Sequence, residues 1–371
     1  MAVASMVSFR LGGPDGVSVQ AATWGRALER LGYSVRRVAG ELTDGPRPGD
    51  VLVPGLAVTA AAAPGPAGQG PPVPEGPGYE ELWSALGGSA VVVVENVLSL
   101  PLHPVAAGVL TRVLADLPAE TRVVLHHHDF AWQRPETAGI TGFPPRLPRA
   151  VHVTINDFSR RELADRGIEA VTVRNAFDLD APAGRRDDTR AALGLGSDDL
   201  LVLQPTRATA HKNVPAALRL AEGLAARLPR PVAYWLPGPA EDGYAATLAG
   251  LVSAAAVPVI RTHPGSLGLG MADAYAACDL VVFPSTGGEG FGQPVIESVW
   301  ADRPLAVLSY PALDEILALG FSFLPADDPD AVAEALRYGD ASTAARNREL
   351  AVAYFSMNAL ERRLQALLGT P

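Results

Sequence analysis

The stretch GGEGFGQPVIES, residues 287–298, sets two carboxylates, Glu289 and Glu297, eight positions apart around a glycine-flanked phenylalanine. It follows the apolar run DLVVFPS (279–285), which reads as a strand ending near Ser285. Pro294 then suits the first turn of a helix over PVIESVWAD (294–302). Strand, glycine loop and helix N-terminus in that order are the repeating unit of an α/β sheet, whose ligands gather above the carboxyl ends of the strands. On this reading Gly290 and Gly292 offer backbone N–H groups to a ligand. Glu289, on the loop, and Glu297, in the helix, stand at different levels of it. The plainer alternatives are helix capping for Glu289 and a solvated helix face for Glu297. Two glutamates on one loop–helix segment are badly placed to flank a glycosidic bond from opposite faces, which argues against a hydrolase built on the pair.

The same rhythm extends in both directions. VASMVSF, SVRRVAG, DVLVPG, AVVVVEN, RVVLHHH, AVHVTIN and AVTVRN read as strands in the first half. LLVLQPT, PVAYWLPG, VPVIRT, DLVVFPS, RPLAVLS and FSFLPA do so in the second. Several are apolar on both faces, as parallel strands covered by helices on both sides must be. Helical spacing lies between them, as in GVSVQAATWGRALERLG, which ends at Gly32, and NVPAALRLAEGLAARL. Repeated β-α alternation over 371 residues predicts two Rossmann-like α/β halves with parallel sheets. The charged stretch 178–199 is the expected seam, giving domains over 1–178 and 179–352, with the last helix, about 353–371, joined to the first domain. Residues 54–78, rich in Pro, Gly and Ala, read as a surface loop.

Composition narrows the function classes. A formal charge of −10 disfavours nucleic acid and anionic membrane surfaces as partners. The single cysteine, Cys278, allows no internal disulfide, and no run reaches membrane-spanning length unbroken, so a cytoplasmic protein without an integral membrane segment is expected. Of 30 basic residues only Lys212 is lysine. A lone lysine against an arginine background points to a position that wants a compact, flexible ammonium.

Three further stretches sit where strands give way to helices. In FRLGGPDGVS, Gly12, Gly13 and Gly16 let backbone N–H groups approach an anion, although tight turns use the same residues and the G-x-G-x-x-G spacing is absent. In LHHHDFAWQR, alternation turns His126 and His128 one way and His127 the other. No cysteine or second histidine cluster completes a zinc set, so no metal is expected, and a histidine or Asp129 exposed above the sheet suits a hydroxyl substrate. In LQPTRATAHKN, Arg207 and Lys212 precede a helix whose dipole opposes them, a conflict that a bound diphosphate would remove.

With these residues placed, the chain resembles the retaining glycosyltransferases of the GT-B fold, in the large family four that uses nucleotide-sugar donors. PSTGGEGFGQPVIESVWADRPLAV (284–307) matches the family's E-x7-E stretch and PTRATAHKN its Arg…Lys pair. NDFSRREL and VRNAFDLD match the end of its acceptor domain. The first half, with DGVSVQAATW and HHHDFAWQR, is similar to a subgroup containing mannosylglucosylglycerate synthases. The resemblance implies that Glu289 and the backbone of Gly290, Phe291 and Gly292 hold the donor sugar and phosphate, and that Glu297 binds the ribose. It implies that Arg207 and Lys212 stabilise the departing diphosphate. Gly12, Gly13 and Gly16 would border phosphate and acceptor, with His128 and Asp129 near the reacting carbon. RNAF in place of the more frequent Asn-Gly turn weakens any role for Asn175.

The implied reaction moves a hexose, from GDP-mannose or a UDP-sugar, to a hydroxyl of a small molecule or glycan. It needs no cofactor beyond the nucleotide-sugar co-substrate. The rivals are an NAD-dependent oxidoreductase, disfavoured by the missing dinucleotide spacing, and a non-catalytic sugar-nucleotide-binding relative.

Overall fold

The computed structural model describes residues 1–13, 15–58, 76–134, 136–180, 184–241, 243–287 and 289–369; residues 59–75 of the expected surface loop lie outside the described residues. The chain forms two compact units, Met1–Ala176 with Ser356–Pro371, and Phe177–Phe355.

Unit 1 runs β1 (Val3–Leu11), α1 (Gly16–Arg30), β2 (Ser34–Leu42), β3 (Val51–Leu52), α2 (Tyr79–Leu86), β4 (Val91–Glu95), α3 (Pro104–Asp116), β5 (Arg122–His127), β6 (Ala150–Thr154), α4 (Asp157–Ala164) and β7 (Ala170–Thr172). Unit 2 runs α5 (Arg186–Ala192), β8 (Leu200–Leu203), α6 (Val214–Ala225), β9 (Val232–Trp235), α7 (Ala245–Ala254), β10 (Val259–Ile260), α8 (Met271–Ala277), β11 (Leu280–Phe283), α9 (Pro294–Trp300), β12 (Leu305–Val307), α10 (Pro311–Ala318), β13 (Leu324–Pro325), α11 (Pro329–Tyr338) and α12 (Ala341–Phe355). The last helix, α13 (Met357–Leu368), belongs to unit 1.

Each unit is built on one parallel sheet, of order β3-β2-β1-β4-β5-β6-β7 in unit 1 and β10-β9-β8-β11-β12-β13 in unit 2. Strand order reverses between β1 and β4 and between β8 and β11, and such switch points open a crevice at the carboxyl ends of the strands.

Valine-rich strands form because both faces of the unit 1 sheet are covered, and alternation assigns each side chain to a face. Val92, Val94, Val123 and Leu125 pack in the cluster of α2 and α3, with Leu82, Leu110 and Val113. Val91, Val93 and Val124 pack in the opposite cluster, with Trp24 and Leu28 of α1 and Leu360 and Leu364 of α13. Counting on in twos from Val93 and Val124 reaches Glu95 and His126, paired neighbours in the ladder, on the α1 side.

Candidate active site

At the carboxyl end of β4 and β5 that alternation concentrates polar groups in an apolar slot. His126 Nδ1 and His128 Nε2 each lie 2.8 Å from the same oxygen of Glu95, Oε2. Glu95 and His126 are fully buried, and His126 stacks on Trp24 with ring centroids 4.2 Å apart. Burial by itself would raise the Glu95 carboxyl, but the charge and hydrogen bonds of the two imidazoles outweigh it and hold the pKa at about 2. An ionised carboxylate only accepts, so both facing nitrogens carry hydrogen. His127 points to the other face, where Nδ1 lies 2.6 Å from Ser99 Oγ and Nε2 3.0 Å from His152 Nδ1. Of the triplet, His126 is 0% exposed, His127 1% and His128 9%, so His128 is the one whose ring comes nearest the surface.

Asn96, held at φ +64°, ties the two strand ends together. Its Oδ1 accepts from the His128 backbone N–H at 3.1 Å, and its Nδ2 donates to Asp129 at 2.6 Å. Asp129 also accepts from Arg134 Nε at 2.8 Å, so its carboxylate is already engaged. Just after β1, Gly12 sits at φ +82°, and a Cβ there would lie 2.1 Å from Asp44 Oδ1. Gly13 and Gly16 lead into α1, whose N-terminus is capped by Asp15. One Asp15 oxygen accepts from the Ser18 N–H at 3.0 Å and the other from Ser18 Oγ at 2.8 Å. The anion-binding end of that helix thus holds a carboxylate of the chain's own.

In unit 2 the loops after β8 and β11 are stitched together. Gln204, buried at the end of β8, donates to the Lys212 carbonyl at 2.8 Å and accepts from the Tyr234 hydroxyl. Asn213 Nδ2 donates to the Pro284 carbonyl at 3.2 Å, and the Thr286 N–H to the His211 carbonyl at 3.1 Å. This brings Lys212 and Glu289, 77 residues apart in sequence, into an ion pair. The ammonium also lies 5.3 Å from the centroid of the Phe283 ring. Arg207 is 59% exposed and pairs with Glu241.

Beneath the pair, Phe283 meets Tyr310 edge-on, and the Tyr310 hydroxyl donates to the Phe291 carbonyl at 3.0 Å. The Phe291 ring packs between Phe177 and Phe355, so this residue offers a ligand only its backbone. Gly290 stands on the same loop, partly buried. Gly292, at φ +83°, approaches Tyr310 so closely that a Cβ would lie 2.2 Å from its hydroxyl. Gly292→Ala is therefore expected to destabilise unit 2 by about 2 kcal/mol, through backbone strain and overpacking, as read by urea denaturation. An unchanged midpoint would show that the loop tolerates a side chain there.

Glu297 accepts from the Tyr275 hydroxyl at 2.6 Å, and burial pushes its carboxyl up despite that bond. It opens onto a cavity of about 180 Å³ lined also by Phe177, Met271 and Trp300. The two glutamates of the opening stretch thus serve different neighbours, Glu289 a cation and Glu297 a phenol.

Glu95, Asn96, Gln204, Glu241 and Tyr275 are the participants that sequence reasoning missed. Glu95 did leave a signal, since an acid in step with Val91 and Val93 is an acid pointed into a core.

No protein-family model matches the chain. It is 26% identical over 273 residues to the mannosylglucosylglycerate synthase of Petrotoga mobilis, covering 62% of each chain. It is 28% identical over 254 residues to that of Thermotoga maritima, covering 59% of this chain and 57% of the relative. The match therefore spans about three fifths of these relatives' length. Among solved structures, HepE of Anabaena in complex with UDP-glucose superposes with a TM-score of 0.69 at 15% identity over all of both chains. Sucrose-phosphate synthase of Thermosynechococcus elongatus does so with 0.67 at 16%, covering 99% of this chain and 98% of that one. Two Rossmann-like units with parallel sheets define a protein of the GT-B glycosyltransferase fold. Within that class, the chain is related to mannosylglucosylglycerate synthase.

Proposed function

We propose that the chain is a retaining glycosyltransferase that moves a hexose from a nucleotide-diphosphate sugar to a hydroxyl of a small acceptor. The observation that carries this is the Lys212–Glu289 pair at the β8/β11 switch point. A diphosphate arriving there takes Lys212 from Glu289, and the released carboxylate accepts from sugar hydroxyls. One event thus seats both ends of the donor's reacting half. Among the described residues, the N–H groups of Phe291, Gly292 and Gln293 donate to no acceptor, which leaves them for phosphate oxygens. Glu297 and the cavity beside it take the ribose and base. Arg207, exposed beside Glu241, turns from that carboxylate to the diphosphate. His128 and Asp129 serve the acceptor side, with Gly12, Gly13 and Gly16 at its border.

Retention without a placed carboxylate nucleophile implies that the acceptor hydroxyl attacks on the face the diphosphate leaves. Electrostatic stabilisation of that leaving group is then the main catalytic term. GDP-mannose is the first donor to test, because the relatives are named for a mannosyl product; UDP-sugars come next. A thermal-shift screen of UDP, GDP, ADP and dTDP with their sugars, followed by product analysis with the best donor, tests the reading. Stabilisation by one diphosphate and a new glycoside are expected. Stabilisation by NAD instead would replace the reading with the oxidoreductase one, and binding without turnover would reduce it to a sugar-nucleotide binder.

Glu297→Ala is expected to weaken nucleotide affinity about 10- to 100-fold, the worth of one or two hydrogen bonds to a charged group. Unchanged affinity by calorimetry would remove the ribose role.

A further inference from the structure

Glu95 makes none of the contacts described at the β8 and β11 loops, yet it is an ionised carboxylate at the end of a four-valine strand, a costly thing to bury. Its hydrogen bonding is also one-sided. Oε2 takes both imidazoles, while Oε1 and His126 Nε2 are buried without a partner among the described residues. A fifth valine would extend the strand without the cost of burying a charge, so the carboxylate answers to something other than packing. What the arrangement does accomplish is to grip His128. The ring is held by Glu95 at Nε2 and the backbone N–H by Asn96, both from the end of β4. The remaining ring nitrogen, Nδ1, has no partner among the described residues.

Glu95, His126 and His128 also have the composition of a metal set, with ligand atoms within 4.8 Å of one another. Ligands around a tetrahedral ion at 2.0–2.1 Å sit about 3.3 Å apart. The two 2.8 Å spacings are those of N–H···O bonds instead.

We propose that Glu95 is the positioning residue for His128, fixing its imidazole as the Nε2–H tautomer so that Nδ1 presents a lone pair to a hydroxyl of the bound substrate. This rests on the reading of His128 as the substrate-side imidazole. The neighbouring His126 supplies the second hydrogen bond that keeps the Glu95 carboxylate ionised and in place.

The test is nitrogen-resolved NMR of the full chain labelled in its histidine rings, with His128 assigned by its loss in His128→Asn. In the wild type, His128 is expected as one tautomer, protonated at Nε2. In Glu95→Gln, whose amide can rotate to offer a donor, mixed or reversed protonation of His128 is expected. With the best donor, kcat should fall about 10- to 100-fold at unchanged donor KM, the loss of one oriented charged hydrogen bond. If Glu95→Gln does not fold, Glu95→Asp, which withdraws the carboxylate, is read the same way. Identical His128 ring signals in the wild type and the folded Glu95 variant would overturn the proposal. So would stoichiometric uptake of zinc or cobalt by the wild type that the variant lacks. A wild type inactive with every nucleotide sugar would remove the transferase reading, and the tautomer measurement would still decide the role of Glu95.

Discussion

Lys212→Ala is expected to lower turnover by on the order of 10²- to 10³-fold while nucleotide affinity falls much less, because a donor placed for the transition state counts most there. Lys212 is suited to that task by its surroundings. It is only 13% exposed, Gln204 pins its carbonyl, and Phe283 lies under its ammonium. Arg207, the more exposed of the two, is expected to show a similar loss in kcat when changed to alanine, the two cations sharing one diphosphate. Alanine at 212 also leaves Glu289, 9% exposed, without its cation. A fall in stability must therefore be separated from a fall in rate. The double variant Lys212→Ala/Glu289→Gln removes the stranded charge and is expected to recover the melting temperature but not turnover. Near-normal single-turnover rates in both Lys212→Ala and Arg207→Ala would sink the clamp assignment.

The second large effect is on stability in mild acid, and it falls on unit 1. Burial holds His103, His126 and His127 below the ordinary imidazole value and brings His152 to about 4. When a histidine's folded pKa is depressed, the unfolded chain binds the proton first. Its contribution is therefore complete above about pH 6.5 and is lost as pH falls toward the folded value. His152 alone contributes about 3 kcal/mol across that window, because each tenfold difference in proton affinity between the folded and unfolded chain is worth roughly 1.4 kcal/mol. Glu95, with a folded value of about 2, holds its contribution above the ordinary carboxylate range and loses it only below pH 4.5. Glu297 in unit 2 has the opposite sign. Its raised carboxyl disfavours the folded state at neutral pH and is relieved by acid. Hydrogen exchange, corrected for intrinsic rate, should thus show protection lost in β4 and β5 between pH 6.5 and 4.5 while β8 and β11 stay protected. Equal loss in both sheets would contradict this assignment of the histidines.

The fold was legible because parallel strands write themselves as apolar runs. Each run read from the sequence overlaps one of the thirteen strands found among the described residues, β1 and β2 running two residues further than read. The loop–helix placement of Glu289 and Glu297 followed from glycine and proline alone. What periodicity could not supply was the pairing of distant loops. Nothing local joins Lys212 to Glu289, or Tyr275 to Glu297; those contacts follow from strand order, which a single sequence does not spell out. The histidine triplet shows the boundary well. Alternation separated His127 from its neighbours, but the choice of His128 as the ring nearest the surface needed Trp24 over His126, and that contact comes from a helix a hundred residues away.

The return of α13 to the first unit has a consequence for how the chain is made. Met357, Leu360 and Leu364 cover apolar residues of α1 and β1, yet they are translated after all of residues 177–355. On the ribosome, unit 2 has its whole sequence available before unit 1 does. The part of α1 that α13 covers waits exposed meanwhile, the kind of surface on which nascent chains associate or chaperones act. Synthesis therefore finishes the later unit first, and the helix that closes the earlier one emerges after it.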